Sequence, residues 1–231
     1  MQEITTCWRS EKRSMGEQRI KTILMDCDGV LVDSEMIYLT SLVHYLKLLG
    51  IDTTIDDLAY LVGSDIESIT EKVRRQFGLE QYSVQELIDG QRRQFDEEFS
   101  MENISEMPGL TAFLEEMNRQ DIELAVVSSS STSYVEQIVS HLGLGKYFKV
   151  ILGKESAGKA KPAPDLYLKA LEIMRADVET TVVIEDSKNG ILAGKSAGCK
   201  VIAYCGSRIK QDVSGADRKV RDYREAAELM L

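Results

Sequence analysis

The sequence predicts an α/β protein in which a doubly wound parallel sheet carries an inserted α-helical domain. Short apolar runs that suit buried parallel strands alternate with amphipathic helical segments through the second half of the chain. Between the first of these runs and the rest lie residues 35–106, where apolar residues follow helical spacing and no strand pattern is visible. A parallel sheet interrupted once by a block of helices accounts for both observations.

Five apolar runs are expected to be the strands. They are short and rich in Val, Ile and Leu, which is typical of strands buried on both faces. The runs are 23–25, 122–127, 150–152, 181–184 and 200–203. Helical segments separate them, as in residues 110–117, where Leu and Phe recur at i, i+3 and i+4 before a Met at i+7. We therefore expect a five-stranded parallel sheet with helices on both faces.

The chain divides into three predicted units. Residues 1–19 are polar and charged, lack the apolar stretch of a signal peptide and form an N-terminal extension with no assigned function. Residues 20–34 and 107–231 form the α/β core, and residues 35–106 form the helical domain. Pro108-Gly109 marks the return of the chain to the core.

Composition restricts the partners that the protein can have. A net charge of −10 argues against binding to nucleic acid or to an anionic membrane. A small phosphorylated substrate is still compatible, because a bound divalent cation and a lysine can reverse the local field. The four cysteines form no C-x-x-C pair and no zinc spacing with the two histidines, which suits a cytoplasmic protein with reduced thiols. No apolar segment is long enough to span a membrane, and the oligomeric state stays open, a monomer being compatible.

Asp26 and Asp28 are the first candidate site residues. They follow the first apolar run directly and are separated by one residue, so their side chains are expected to point the same way. Like charges held close repel, and a cation between them or a shared proton would make the arrangement tolerable. An acidic turn or a helix cap is the alternative, since Asp-Gly often marks one. The cost of grouping charges at a partly buried site favours function.

Further polar residues follow other predicted strands or precede a helix between them. Ser128 ends the second strand, Glu185-Asp186 ends the fourth, and Lys161 begins the segment Lys-Pro-Ala-Pro-Asp. Each has an ordinary explanation: the serines 130–133 and Asp165 are interpreted as helix caps, and a single lysine is usually solvated. Because ligands in such sheets bind beyond the carboxyl ends of the strands, their coincidence there favours one site.

These motifs, taken in order, resemble those of the haloacid dehalogenase (HAD) superfamily. They are Asp-x-Asp-Gly-Val-Leu-Val-Asp-Ser-Glu, a serine after the second strand, Lys-Pro-x-Pro-Asp and Glu-Asp-Ser-x-x-Gly. The helical-cap phosphatases and β-phosphoglucomutase-like enzymes are the most similar branch, and the resemblance covers residues 22–231. It implies a Rossmann-like core and a mobile helical cap inserted after the first strand.

The resemblance also implies catalytic roles. Asp26 would be the nucleophile that attacks phosphorus and gives an aspartyl-phosphate. Asp28 would be the general acid/base that protonates the leaving alkoxide and later deprotonates water. Ser128 and Ser129 would bind the phosphoryl group, and Lys161 would hold its oxygens together with Asp26.

A magnesium ion, Mg2+, is the implied cofactor. Family precedent places it on the carboxylates of Asp26 and Asp186 and on the main-chain carbonyl of Asp28, with Glu185 either as a ligand or beside the ligands. Hard oxygen donors of this kind suit Mg2+.

The implied reaction is the Mg2+-dependent hydrolysis of a small phosphomonoester. A sugar or polyol phosphate is expected at the level of the family, and the helical cap is expected to choose the substrate. A dehalogenase is disfavoured, because those enzymes lack an acid at the position of Asp28. A phosphomutase of the β-phosphoglucomutase type is the runner-up, weakened by Gly63-Ser64-Asp65-Ile66 and by Tyr38 where such mutases carry a basic residue and a histidine. A noncatalytic binding or regulatory protein on the same fold is the third alternative.

Overall fold

The computed structural model describes residues 19–61, 66–98 and 100–231, with the side chains of Glu35 and Glu98 also left out. The predicted extension lies outside these ranges apart from Arg19, and so do three of the five residues used against a mutase, Gly63 to Asp65.

The sheet has six parallel strands in the order β3-β2-β1-β4-β5-β6. Their bounds are β1 Thr22–Met25, β2 Glu123–Val127, β3 Phe148–Leu152, β4 Thr181–Glu185, β5 Lys200–Tyr204 and β6 Arg218–Val220. The expectation of five strands was wrong by one, since β6 was missed. This edge strand is three residues long and only Val220 in it is buried, so it carries no apolar pattern.

Helices precede and follow the strands and also form the insertion after β1. Their bounds are α1 Ser34–Leu48, α2 Ile55–Leu58, α3 Ile66–Gln76, α4 Val84–Glu98, α5 Leu110–Arg119, α6 Thr132–His141, α7 Asp165–Met174, α8 Lys188–Ser196 and α9 Tyr223–Met230. Single 3₁₀ turns lie at Ala59–Leu61, Met101–Asn103, Gly145–Tyr147, Lys154–Ser156 and Val178–Thr180. Across the described ranges, no helix combines the length and the apolar character that crossing a bilayer requires.

Alternate residues of β1 pack into two different hydrophobic layers, one on each face of the sheet. Ile23 and Met25 pack in a cluster with residues of α5, α6 and α9, whereas Leu24 packs on the opposite face with residues of α7 and α8. This alternation is the ordinary geometry of a strand buried on both faces. The α/β fold class and the placement of helices on both faces are therefore confirmed.

Helices α1 to α4 form a hydrophobic cluster of their own. Leu39, Leu46, Leu58 and Leu61 are fully buried in it. One member comes from the other part of the chain: Ile209, in the loop after β5, is 7% exposed and packs into this cluster. The insertion therefore has its own small core. It also packs on the sheet domain, through Ile209 and through Ile37 of α1, which lies against the cluster of Ile23 and Met25.

The chain leaves and re-enters the sheet domain at neighbouring points. Val32 forms isolated bridges with Asp28 and with Glu106, and the amide of Met107 donates to the carbonyl of Leu31 at 2.8 Å. These contacts hold the two connections of the helical insertion side by side, directly beyond the carboxyl end of β1.

Candidate active site

The register of the sheet brings the predicted site residues to one edge. Met25 at the end of β1 lies opposite Val126 of β2 and Ile184 of β4. The amide of Asp26 then donates to the carbonyl of Ile184 at 3.0 Å, which extends the ladder by one residue. Asp26, Ser128 and Glu185 consequently emerge together, as the rule for parallel sheets requires.

Lys161 occupies the centre of this edge. Its ammonium donates to Asp26 Oδ1 at 2.7 Å, to Glu185 Oε1 at 2.7 Å and to the carbonyl oxygen of Val127 at 2.8 Å. The side chain is only 3% exposed. All three ammonium protons have acceptors, so this lysine is a fixed part of the site.

Glu185 is the most heavily hydrogen-bonded carboxylate of the site. Its Oε1 accepts from Lys161 and from the hydroxyl of Tyr167 at 2.9 Å, while Oε2 accepts from the amides of Asp186 and Ser187 and from the Ser187 hydroxyl. A carboxylate offers about four lone-pair positions, and these five donors use them. Nothing in the sequence distinguished Tyr167 from an ordinary buried helix residue.

Two glycines make room for the acidic groups. A Cβ on Gly190 would lie 1.7 Å from Glu185 Oε1, and a Cβ on Gly29 would lie 1.9 Å from Asp186 Oδ2. Gly29 also has a φ of +73°, which favours glycine. Asp186 Oδ2 further accepts from the side-chain amide of Gln211 at 3.2 Å.

Asp26, Glu185 and Asp186 form a buried acidic cluster whose oxygens lie within 4.8 Å of one another. Burial, and then the charge of Glu185, raise the pKa of Asp26 to about 8, although Lys161 opposes the shift. Burial would lower the pKa of Lys161, but Asp26 and Glu185 raise it well above its ordinary value. Three carboxylates against one ammonium leave an excess of negative charge, and a divalent cation held by hard oxygens fits it.

The carboxylate of Asp28 does not belong to this cluster. It accepts hydrogen bonds from the hydroxyls of Ser34 and of Ser130, the latter at 2.7 Å from Oδ2, and it also contacts the Tyr134 hydroxyl. Burial and the charge of Asp28 raise the pKa of Tyr134 well above its ordinary value, so Tyr134 is a phenol that can donate. Three hydroxyl groups thus orient Asp28 in the described structure.

Two helix-cap assignments from the sequence need correction. Ser131 caps α6, with its hydroxyl accepting from the amide of Tyr134, but Ser130 instead contacts Asp28. Asp165 is the first residue of α7, and Pro164 precedes it at the cap position. The signal that could have identified Ser130 is its place three residues beyond the end of β2, next to the other strand-end residues.

Ser128 and Ser129 have different surroundings. Ser128 is fully buried, and its hydroxyl accepts from the amide of Ser130 at 3.0 Å. Ser129 is exposed and lines a cavity of about 750 Å³ between the sheet edge and the helical insertion. Asp28, Ser34 and Ser130 line the same cavity. The carboxylate of Asp26 therefore belongs to the buried cluster, whereas that of Asp28 lies at the cavity.

Comparison with known proteins places this geometry in a family. The family model of haloacid dehalogenase-like hydrolases matches residues 23–204, which include every predicted site residue. The chain belongs to this family. The resemblance that the motifs predict is thereby confirmed.

The relatives include phosphatases. A bifunctional riboflavin kinase/FMN phosphatase of Arabidopsis thaliana is 32% identical over 185 residues, covering 78% of this chain and 47% of that protein, so the chain spans about half the length of this relative. A phosphoglycolate phosphatase of Aquifex aeolicus is 30% identical over 182 residues, covering 78% of this chain and 83% of its own. These relatives support the expectation of a phosphoric monoester hydrolase.

A solved structure shares the fold over nearly the whole chain. CbbY from Rhodobacter sphaeroides, in complex with phosphate, superposes with a TM-score of 0.69 at 25% identity and covers 92% of this chain and 100% of its own. The fold of the sheet domain together with its helical insertion is therefore that of known HAD proteins.

Proposed function

We propose that the protein is a Mg2+-dependent phosphatase that hydrolyses a small phosphomonoester through an aspartyl-phosphate on Asp26. The observation that carries the proposal is the contact of Asp26 with Lys161 inside a buried acidic cluster. The names of the phosphatase relatives support the same reaction class.

Asp26 is the nucleophile in this proposal. Its carboxylate attacks phosphorus, the bond from phosphorus to the ester oxygen breaks, and the electron pair leaves with the alkoxide. Water then attacks the phosphorus of the aspartyl-phosphate and releases inorganic phosphate and free Asp26. Lys161 fixes Oδ1 of Asp26 and supplies positive charge beside the transferring group.

Asp28 is the general acid/base. It gives a proton to the leaving alkoxide in the first step and takes one from the attacking water in the second. The hydroxyls of Ser34 and Ser130 hold its carboxylate at the cavity, where the leaving group would lie. Ser129, which lines the cavity, would bind phosphoryl oxygens, and Ser128 would support the turn after β2 by accepting from the amide of Ser130.

Asp26, Asp186 and the main-chain carbonyl of Asp28 would hold Mg2+. The bound cation would screen the repulsion between the carboxylate and the phosphate ester and would stabilise the negative charge of the transferring group. Because five donors already occupy the oxygens of Glu185, we assign it to holding Lys161 and Asp186 in place, beside the metal ligands.

Residues 35–106 are proposed as the cap that covers the substrate, and residues 20–34 with 107–231 as the catalytic core. The cavity between them would hold the leaving group, and the adjacent connections near Val32 and Glu106 would be the hinge.

Phosphate release with and without Mg2+, using p-nitrophenyl phosphate and a panel of phosphorylated metabolites, tests the proposal. We expect Mg2+-dependent release that Asp26→Asn abolishes and that Asp52→Asn, at an exposed residue of the insertion, leaves unchanged. Asp28→Asn should retain some phosphoenzyme, trapped by acid quenching of labelled substrate.

Two outcomes would contradict it. Undiminished release by folded Asp26→Asn would exclude the nucleophile. Conversion of β-glucose 1-phosphate to glucose 6-phosphate without phosphate release, in the presence of the bisphosphate activator, would favour the mutase alternative.

A further inference from the structure

We propose that the cavity selects phosphomonoesters whose leaving alcohol carries an aromatic or heteroaromatic ring, in preference to sugar phosphates and phosphoglycolate. This inference rests on the proposed phosphatase function and adds the class of leaving group. It is carried by the size of the cavity, by its apolar wall and by one charged side chain.

The size of the cavity exceeds the needs of a small leaving group. At about 750 Å³ it falls in the range of pockets that enclose ligands of drug size. Glycolate or glycerol would leave most of this space to water. A larger alcohol could fill it while its phosphate lies at the strand ends beside Asp28.

The wall contributed by the helical insertion is mainly apolar. Leu39, Leu61 and Ile69 form its buried base and belong to the core cluster of the insertion. The half-buried side chains of Ile66, Tyr38 and Phe95 line the cavity above this base. The hydroxyl of Tyr38, which could otherwise meet a substrate, donates to the side-chain oxygen of Gln91 at 3.2 Å. Among the described residues of this wall, Arg92 and Asp96 are the charged partners for a hydroxyl, so sugar hydroxyls placed against the apolar residues would lose water without gaining hydrogen bonds, which costs free energy.

Three aromatic side chains face the same space. Tyr38 of α1 and Phe95 of α4 have ring centroids 6.3 Å apart at an interplanar angle of 49°, within the range of favourable aromatic pairs. Tyr134 of α6 also lines the cavity, and its hydroxyl is fixed by Ser34 and Asp28. A flat ring can pack against such surfaces because stacked and edge-to-face contacts both become available.

Arg92 is one of the charged residues that line the cavity, together with Asp96 on the same helix and Lys154 of the sheet domain. It is exposed and lines the cavity, and within the described ranges it forms no ion pair. A guanidinium can donate to carbonyl or carboxylate oxygens and can also stack on a ring. A ring that bears acceptor oxygens would therefore satisfy both the apolar wall and Arg92.

Competition between three esters tests the inference. We would measure kcat/KM for flavin mononucleotide, glucose 6-phosphate and phosphoglycolate by phosphate release in the presence of Mg2+. We expect flavin mononucleotide to be favoured by roughly tenfold or more, the ratio that one charge-assisted hydrogen bond alone can supply. Equal or higher kcat/KM for glucose 6-phosphate or phosphoglycolate would overturn the inference and leave the proposed phosphatase standing.

A matched pair of variants tests whether Arg92 is responsible for the preference for flavin mononucleotide. Arg92→Gln is expected to raise KM for flavin mononucleotide about tenfold and to leave KM for phosphoglycolate unchanged. Arg93→Gln, at an exposed neighbour on the same helix that does not line the cavity, is expected to change neither. Equal effects of both variants on both esters would contradict a specific role of Arg92.

Binding without turnover separates this inference from the chemistry. Titration of flavin mononucleotide into Asp26→Asn, followed by flavin fluorescence, should give a Kd that Phe95→Leu weakens severalfold in the same background. An unchanged Kd after Phe95→Leu would argue against packing on the aromatic pair. Failure of every ester to release phosphate from the wild-type protein would instead overturn the proposed function, and with it this inference.

Discussion

The ammonium of Lys161 donates to Glu185 Oε1 at 2.7 Å in an ion pair whose side chains are 3% and 0% exposed. Both charges have left water, so their mutual attraction and their other hydrogen bonds must compensate the lost hydration. Tyr167 and the amides after β4 complete the partners of Glu185. Removing any one of these partners would leave part of the buried charge without compensation.

Lys161→Met should destabilise the protein strongly, because it leaves the fully buried carboxylate of Glu185 without its cation. We expect a loss of about 3–5 kcal/mol in the free energy of unfolding, measured by urea denaturation without added metal. Lys149→Met removes the lysine of a surface pair with Glu123, whose side chains are 58% and 37% exposed, and should cost less than about 1 kcal/mol. Similar losses for both variants would contradict the buried pair.

Gly190→Ala should disturb Glu185, because the new Cβ would lie 1.7 Å from Oε1. Overpacking of this kind costs about 1–3 kcal/mol, so the thermal midpoint should fall. Mg2+ affinity, followed by calorimetric titration, should also fall as Asp186 moves with its neighbour. Gly145→Ala is the control, since its Cβ would meet no atom closer than Val139 Cγ1 at 3.9 Å. Wild-type Mg2+ affinity in Gly190→Ala would refute this reasoning.

Ser130→Ala should slow turnover, because it removes the hydroxyl that donates to Asp28 Oδ2 at 2.7 Å. A hydrogen bond to a charged group is worth about 1.5–3 kcal/mol, so kcat should fall roughly tenfold with little change in KM. Ser140→Ala, at an exposed position of α6, should have no effect. An unchanged kcat in Ser130→Ala would show that this contact does not position Asp28.

Asp217 should make stability depend on pH. Burial would raise its pKa, but hydrogen bonds from Lys195 at 2.6 Å and from the amide of Val201 at 2.7 Å lower it below the ordinary value of 3.8. Its contribution is therefore present above about pH 3.8 and is lost as the pH falls through the folded-state pKa.

We expect Asp217→Asn to lose roughly 1 kcal/mol in the free energy of unfolding at pH 7. The difference from wild type should shrink below pH 3.8, as measured by urea denaturation over a pH series. Ser140→Ala, at an exposed position without an ionisable group, should not differ from wild type at any pH. A constant difference across the series would rule out titration of Asp217 as its source.

The parts of the site that the sequence predicts are those placed by topology. Asp26, Glu185 and Ser128 each follow a strongly apolar strand, so the parallel register alone brings them to one edge. The position of Lys161 before a helix between two strands makes it a candidate, but its role is implied only by the family resemblance, because the loop that carries it has no pattern that fixes its direction.

The features that sequence reasoning missed have sequence patterns that usually indicate something else or nothing at all. A serine before a helix predicts a cap, and this hid the contact of Ser130 with Asp28. Tyr167 occupies a buried position on an amphipathic helix, where an aromatic ring is expected without any polar role. Strand β6, with three residues, is too short to show an alternating apolar pattern.

The loop after β5 links the core of the insertion directly to the acidic cluster. Ile209 is embedded in the core of the insertion, and Gln211, two residues later, donates to Asp186 at the acidic cluster. Two residues of extended chain span at most about 7 Å, so little slack separates these anchors. If the insertion moves while Ile209 stays packed in its core, Gln211 must follow or release Asp186, so access to the cavity and the position of the carboxylate that we propose as a metal ligand would change together.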